Sequence, residues 1–209
     1  FLFAMCNQKS KNEAEKETIL KGSLDITVDV TVKQIVDDQV AVFEGTYYDA
    51  KITVKPKSEA EVINDLLNQK AKVVITTRDL TPEEKTRFEK SKINPRVTPF
   101  ARDAVAFISN KSNNDTLVAL KSVIDFIQGK PDGKIKGLVF DNPNSSTVRY
   151  MKELAKVNEV PKAGVFSFKT NNEVIKFVSE NEGMIGVIGV NWLYQPTPDM
   201  TETIKKINV

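Results

Sequence analysis

The stretch IKGLVFDNPNSSTVRYMKEL, residues 135–154, changes its apolar period once, and that change decides the fold. Ile135 to Phe140 is a short apolar run of the length of a buried strand. Beyond the polar turn, Ser145 or Ser146 opens a segment in which Val148, Met151 and Leu154 recur at helical spacing. A serine at that point caps a helix, because its hydroxyl accepts one of the backbone N–H groups that the first turn leaves unpaired. Strand, short turn, amphipathic helix is the unit from which parallel sheets are made, since parallel strands need a crossover connection.

The same alternation runs outward in both directions. Upstream, LDITV (24–28) reads as a strand, followed by Val32, Ile35, Val36, Val40 and Phe43 at helical spacing. Thr31 and Gln34 have capping-box spacing and place that helix start at Thr31. A strand over 52–54 precedes a helix opened by Ser58 with Glu61, and a strand over 73–75 precedes one opened by Thr81, Pro82 and Glu84. From Pro95 the pattern reads as strand, through Val97 and the run 104–108. Downstream, Leu117, Leu120, Ile124 and Ile127 form a helical stripe before the turn at 129–133. Val165 to Phe168 is a strand, Asn171 caps a helix carrying Val174, Ile175 and Val178, and Met184 to Val190 is the last clear strand. The fold class is α/β, with mostly parallel sheets flanked by helices.

Composition narrows the chemistry. Thirty Lys and Arg against 28 Asp and Glu leave a formal charge of +2, too little for a protein that coats nucleic acid. Histidine is absent and there is one cysteine, which removes Ser-His and Cys-His catalysis, His- or Cys-rich zinc sites and an intrachain disulfide. That Cys6 follows the apolar run FLFAM and precedes a polar stretch over residues 7–21. Apolar run, lone cysteine and hydrophilic tether resemble the lipidation site of bacterial lipoproteins, although Met5 stands where that signal usually has a small residue. The competing reading is an incidental thiol. The other end, residues 191–209, reads as a connection that stops on a fresh strand, as in a C-terminally truncated chain.

In sheets of this kind ligands bind at the carboxyl ends of strands, where helices present their N-termini. Asp29-Val30-Thr31, Thr76-Thr77-Arg78-Asp79-Leu80 and Asp141 to Thr147 each carry hydroxyls, with Arg149 one turn into the helix after the last of them. Unpaired N–H groups, about half a positive charge at a helix start, hydroxyl donors and a guanidinium fork are the ingredients of an anion site.

In this order, VVITTRDLTPEEK, ARDAVAFISN, VFDNPNSSTVRYMKEL and EGMIGVIGVNW resemble the substrate-binding proteins of phosphate ABC transporters, the PstS-like family, over residues 22–209. The resemblance implies a two-lobed periplasmic-binding-protein type II fold with phosphate held in the cleft. It implies a lobe at 22–106, a second at 107–190, and a return connection toward the first lobe at 191–209. It further implies a non-catalytic receptor in the cell envelope, periplasmic or otherwise extracytoplasmic, anchored through Cys6 and handing inorganic phosphate to a membrane permease, without a cofactor. The residues carried over are Thr31, Asp79 and the turn Ser145-Ser146-Thr147; Thr77, Arg78, Asn144 and Arg149 join them as neighbours of those turns. Two departures stand out: Ser146 replaces the family's Gly, and Asp141 stands where many members have an arginine, so that Arg78 or Arg149 has to supply the charge. Asp79 would accept the proton that phosphate carries and repel sulfate, which has none. Each residue also has a structural reading: Thr31 as a helix cap, Arg78 with Asp79 as a surface ion pair, Arg149 as a solvated helix residue. The alternatives in function are a receptor for another oxyanion such as sulfate or molybdate, and a phosphate-ester hydrolase using Ser145 or Ser146.

Overall fold

A computed structural model describes residues 17–209 except 19, 114–116 and 132. Cys6 and most of the N-terminal tether lie outside the described residues. Two sheets divide the chain. The first holds β1 (Lys21–Asp29), β2 (Asp49–Lys57) and β3 (Val73–Ile75) in the order β2-β1-β3, all parallel. Between them run α1 (Lys33–Thr46) and α2 (Glu59–Leu67), and after β3 comes α3 (Pro82–Lys90).

The second sheet holds β4 (Val105–Asn110), β5 (Gly137–Phe140), β6 (Val165–Ser167), β7 (Met184–Gly189) and β8 (Ile207–Asn208) in the order β6-β5-β7-β4-β8. β5 pairs in parallel with β6 and β7, whereas β4 is antiparallel to β7 and β8. Its helices are α4 (Leu120–Ile127), α5 (Ser146–Ala155), α6 (Asn171–Glu180), α7 (Asn191–Tyr194) and α8 (Thr201–Ile204).

Alternation along the strands feeds two cores. Leu138, Phe140, Ile185 and Val187 point to the face covered by α4 and α5, where Val123, Phe126, Ile127, Val148 and Met151 are buried. Ala106, Ile108, Val139 and Ile188 point to the other face, against Val174, Ile175 and Val178 of α6 and Trp192. A sheet covered on both faces has no polar side to show, which is why its strands read as continuous apolar runs. The first sheet has smaller cores, Ile26, Val28, Val32 and Val36 under α1, and Ile63, Leu80 and Phe88 where α2 meets α3.

Several expectations shift. The helix expected at Thr31 begins as a 3-10 turn over Val30–Val32 with Asp29 as its cap, and α1 follows from Lys33. Residues 95–104 form no strand; the chain crosses between the sheets there. Of the helical stripe expected over 117–127, Ile127 is buried and Ile124 packs against the core, joined by Val123 and Phe126, while Leu120 at the start of α4 and Leu117 before it are exposed. Thr170, not Asn171, caps α6, since Asn171 is drawn into the interior. In the last segment α7 touches the first unit at Thr31, and β8 pairs with β4, where Ile207 is buried, extending the second sheet.

Candidate functional site

The carboxyl ends of β1, β3 and β5 and the first turn of α2 meet between the two sheets. At the end of β1, Asp29 is fully buried, and its Oδ1 accepts the Thr31 N–H at 3.0 Å. Because Asp29 does the capping, the Thr31 hydroxyl is released for another partner. It finds Ser146 at the start of α5, 3.0 Å away and 115 residues on. Both are buried.

The Thr31 carbonyl is fixed as well: Asn191 Nδ2 donates to it at 2.9 Å and Trp192 Nε1 at 3.1 Å. These come from α7, directly after β7, so the start of the first unit's leading helix is pinned to the end of the second unit's central strand. Gly189 permits that approach, since a Cβ there would stand 3.2 Å from Thr31 Cγ2 and 3.1 Å from an Asp103 carboxylate oxygen.

At the end of β5, Asp141 is fully buried beneath the Ser145–Thr147 turn. Its Oδ1 accepts the Ser145 hydroxyl at 2.6 Å and its Oδ2 accepts Asn171 Nδ2 at 3.3 Å. Ser145 Oγ in turn accepts the Val148 N–H, capping α5. Thr147 is 2% exposed, yet its hydroxyl has no partner among the described residues, and Asp29 Oδ2 and Asn171 Oδ1 are likewise unpaired. Buried polar atoms without partners are rare in folded proteins; Gln34 Oε1, Thr76 Oγ1 and Asn191 Oδ1 are the others among the described residues. Burial pushes the Asp29 carboxyl up, with the Glu59 charge adding to the effect, and pushes Asp141 up to about 6. Among the described residues no guanidinium or ammonium offsets either shift.

The cations lie at one edge of this cluster. Arg149, on α5, donates from Nε to Glu59 Oε1 at 2.6 Å and from Nη2 to Glu59 Oε2 at 3.2 Å and Thr77 Oγ1 at 3.4 Å. Its Nη1 reaches Glu153 at 2.9 Å. Glu59 is the first residue of α2, is buried, and also accepts the Thr77 hydroxyl at 2.6 Å. Beside it, the Ala60 N–H faces the Asn144 carbonyl at 3.5 Å. Arg78 lays its fork on Glu84, both bonds at 2.8 Å, with Nε 3.5 Å from Glu59.

Of the residues singled out from the sequence, Thr31, Ser145, Ser146 and Thr147 gather between the sheets, with Thr77 and Arg149 at the edge and Asn144 contributing backbone. Arg149 is not a solvated helix residue, and Thr31 is not a cap. Asp79 is not in the group: its carboxylate is half-exposed and pairs with Lys85 at 2.7 Å, which holds it below the usual carboxylate range. The ion pair on the surface, which the sequence offered as Asp79 with Arg78, is made with Lys85 instead, because Arg78 is taken by Glu84. Glu59 and Asn191 escaped notice in the sequence, while Asp29 was read only as part of the first turn and Asn171 only as a helix cap. Glu59 had one signal, its place next to the Ser58 cap, but a glutamate in a first helical turn is ordinary. Among the described residues no group of three or more carboxylates is arranged to hold a metal ion.

Comparison with known proteins follows the same lines. The family model for a PBP superfamily domain matches residues 13–209. A relative, phosphate-binding protein PstS of Borreliella burgdorferi, is 28% identical over 180 residues, covering 78% of this chain and 61% of its own. The chain thus spans about three fifths of the length of that relative. Among solved structures, a Clostridium perfringens protein crystallised with bound phosphate superposes with a TM-score of 0.68 at 18% identity, over 90% of this chain and 84% of its own. A variant of the OxyR2 regulatory domain from Vibrio vulnificus superposes with a TM-score of 0.63 at 9% identity, over 91% of this chain and 81% of its own. Architecture is therefore shared between receptors and regulators, and function has to be argued from the site.

Proposed function

Because the chain belongs to the PBP superfamily, we propose that it captures inorganic phosphate between its two sheets and delivers it to the membrane permease of an ABC transporter. The observation that carries this reading is the Thr147 hydroxyl, buried and unpartnered beside the Ser146–Thr31 contact that joins the two units. A tetrahedral oxyanion supplies what that hydroxyl lacks, and the first turn of α5 supplies N–H donors around it. The phosphate named in the Borreliella relative and bound in the Clostridium structure supports the choice of anion. A micromolar site needs about −8 kcal/mol, within reach of several charge-assisted hydrogen bonds after the costs of binding.

The role is that of a receptor and not of an enzyme. Ser145 is committed to capping α5 and to Asp141, and Ser146 to Thr31, and the chain has no histidine to activate either. An extracytoplasmic location with anchoring through Cys6 fits the resemblance of the first residues to a lipoprotein signal.

Calorimetric titration with phosphate and with sulfate tests the proposal. The expected result is saturable phosphate binding that weakens at least about tenfold in T147V, because a charged ligand loses one hydroxyl donor worth about 1.5–3 kcal/mol. Since the hydroxyl has no partner among the described residues, T147V should unfold in urea at nearly the wild-type midpoint. No heat with phosphate at millimolar concentration ends the proposal, and stronger binding of sulfate replaces the anion.

A further inference from the structure

Glu59 stands in an odd place for a structural ion pair. It is the first residue of α2, its side chain is 5% exposed, and its oxygens are held by groups from both units: Thr77 from the first, Arg149 from the second. Arg78 approaches the same carboxylate from the side. A planar guanidinium, a hydroxyl and a helix start around one carboxylate form the donor set expected around an oxyanion. This donor set adjoins the Ser145–Thr147 turn directly, because Arg149 lies on the first turn of α5 and its N–H bonds the Ser145 carbonyl at 3.1 Å. Glu59 is also close enough to Asp29 for its charge to raise that carboxyl further.

We propose that Glu59 is an internal surrogate for the bound anion: its carboxylate occupies Arg149 and Thr77, adds a charged tie between the two units that needs no ligand, and has to be displaced before an incoming oxyanion can use those donors. The part of this concerning the incoming anion rests on the phosphate reading above; the tie between units does not. Glu59 thereby sets affinity. Arg149 has to exchange one buried partner for another on binding, so the anion gains only the difference between two charge-assisted contacts. Without Glu59, Arg149 would be a half-buried cation facing Thr77 with nothing to neutralise it at that side, a costly state that an exogenous anion relieves. The second carboxylate on Arg149, Glu153, reaches only Nη1 and is exposed, so it cannot substitute.

The test uses the full chain with E59A and, to keep the volume of the side chain, E59Q. Both variants should bind phosphate at least about tenfold more tightly than wild type, with a correspondingly larger phosphate-induced rise in Tm. In small-angle scattering without phosphate, both should show a larger radius of gyration than wild type, returning toward it when phosphate is added. E153A should do neither. Unchanged scattering in E59A and E59Q overturns the tie between units, and unchanged or weaker phosphate binding in both overturns the competition. If neither wild type nor variants bind phosphate, the phosphate reading falls, while the scattering comparison still judges the tie.

Discussion

Asp141 is a fully buried carboxyl whose pKa burial raises, and its pH dependence has a definite sign. Desolvation raises its folded-state pKa to about 6, above the value it has in an unfolded chain, so the folded protein holds this proton more tightly. The contribution to stability is complete at pH below the ordinary aspartate range and is lost as pH rises through about 6, on the order of 3 kcal/mol in all. Asp29, also raised by burial, acts in the same direction. Urea unfolding of D141N should therefore show a flatter profile between about pH 4 and 7, and at about pH 8 a gain over wild type of about 1–3 kcal/mol. An amide at 141 can still accept from Ser145, and it can donate to Asn171 Oδ1, which has no partner now among the described residues. A lower stability of D141N at that alkaline pH would show that the carboxylate is better solvated than its burial implies. Asp79 gives the opposite expectation. Exposed and paired with Lys85, it should leave phosphate affinity and the preference over sulfate within about twofold of wild type when changed to Asn. The sequence pointed to Asp79 because of its turn and family motif; in the structure its carboxylate is held by Lys85 of α3.

Helix starts were the most legible elements, because capping is a matter of a few adjacent residues. In α2 the Ser58 N–H donates to Glu61 Oε2 at 3.1 Å, and in α3 the Thr81 N–H donates to Glu84 at 2.8 Å while Thr81 Oγ1 accepts the Glu84 N–H. T81A should lower stability by about 1 kcal/mol in urea unfolding. It should also loosen Arg78, since Glu84 serves both. Where two good caps compete, the local code fails: Asp29 and Thr31 both qualify, and burial of Asp29 at the strand end decides for the aspartate. Helix α4 was half legible: Ile124 and Ile127 of its expected stripe pack on the core, and packing beside Met151, Leu138 and Ile185 adds Val123 and Phe126 in place of Leu117 and Leu120. At Gly186 a Cβ would stand 2.6 Å from Ile108 Cγ1 and 3.0 Å from Val178 Cγ2, so G186A should cost about 1–3 kcal/mol by thermal or urea unfolding.

At the scale of the whole molecule, two of the cross-unit contacts frame the cleft: the Thr31 carbonyl under Asn191 and Trp192, and Glu59 under Arg149. The first is a neutral anchor next to the crossing between sheets, the second a charged tie farther out. W192F removes one donor from a buried carbonyl that keeps the other, and should cost about 1 kcal/mol in urea. Combined with N191A it leaves the carbonyl bare, and phosphate titration of the double variant should show markedly weaker binding, because Thr31 no longer has a fixed position against Ser146. The sequence by itself determined the α/β class, the largely parallel character of the sheets and the order of strands and helices, because apolar period and caps act over a few residues. It also marked the turns at 31, 77 and 145–147, since hydroxyls at strand ends that lead into helices are donors where backbone N–H groups are unpaired. Only the tertiary structure decided which charges meet. Glu59 and Arg149 are 90 residues apart and Thr31 and Ser146 are 115 apart, and nothing local at either end registers the other. Such pairings are fixed by how two independently packed sheets are set against each other, a long-range outcome of burial that leaves no period in the sequence to read.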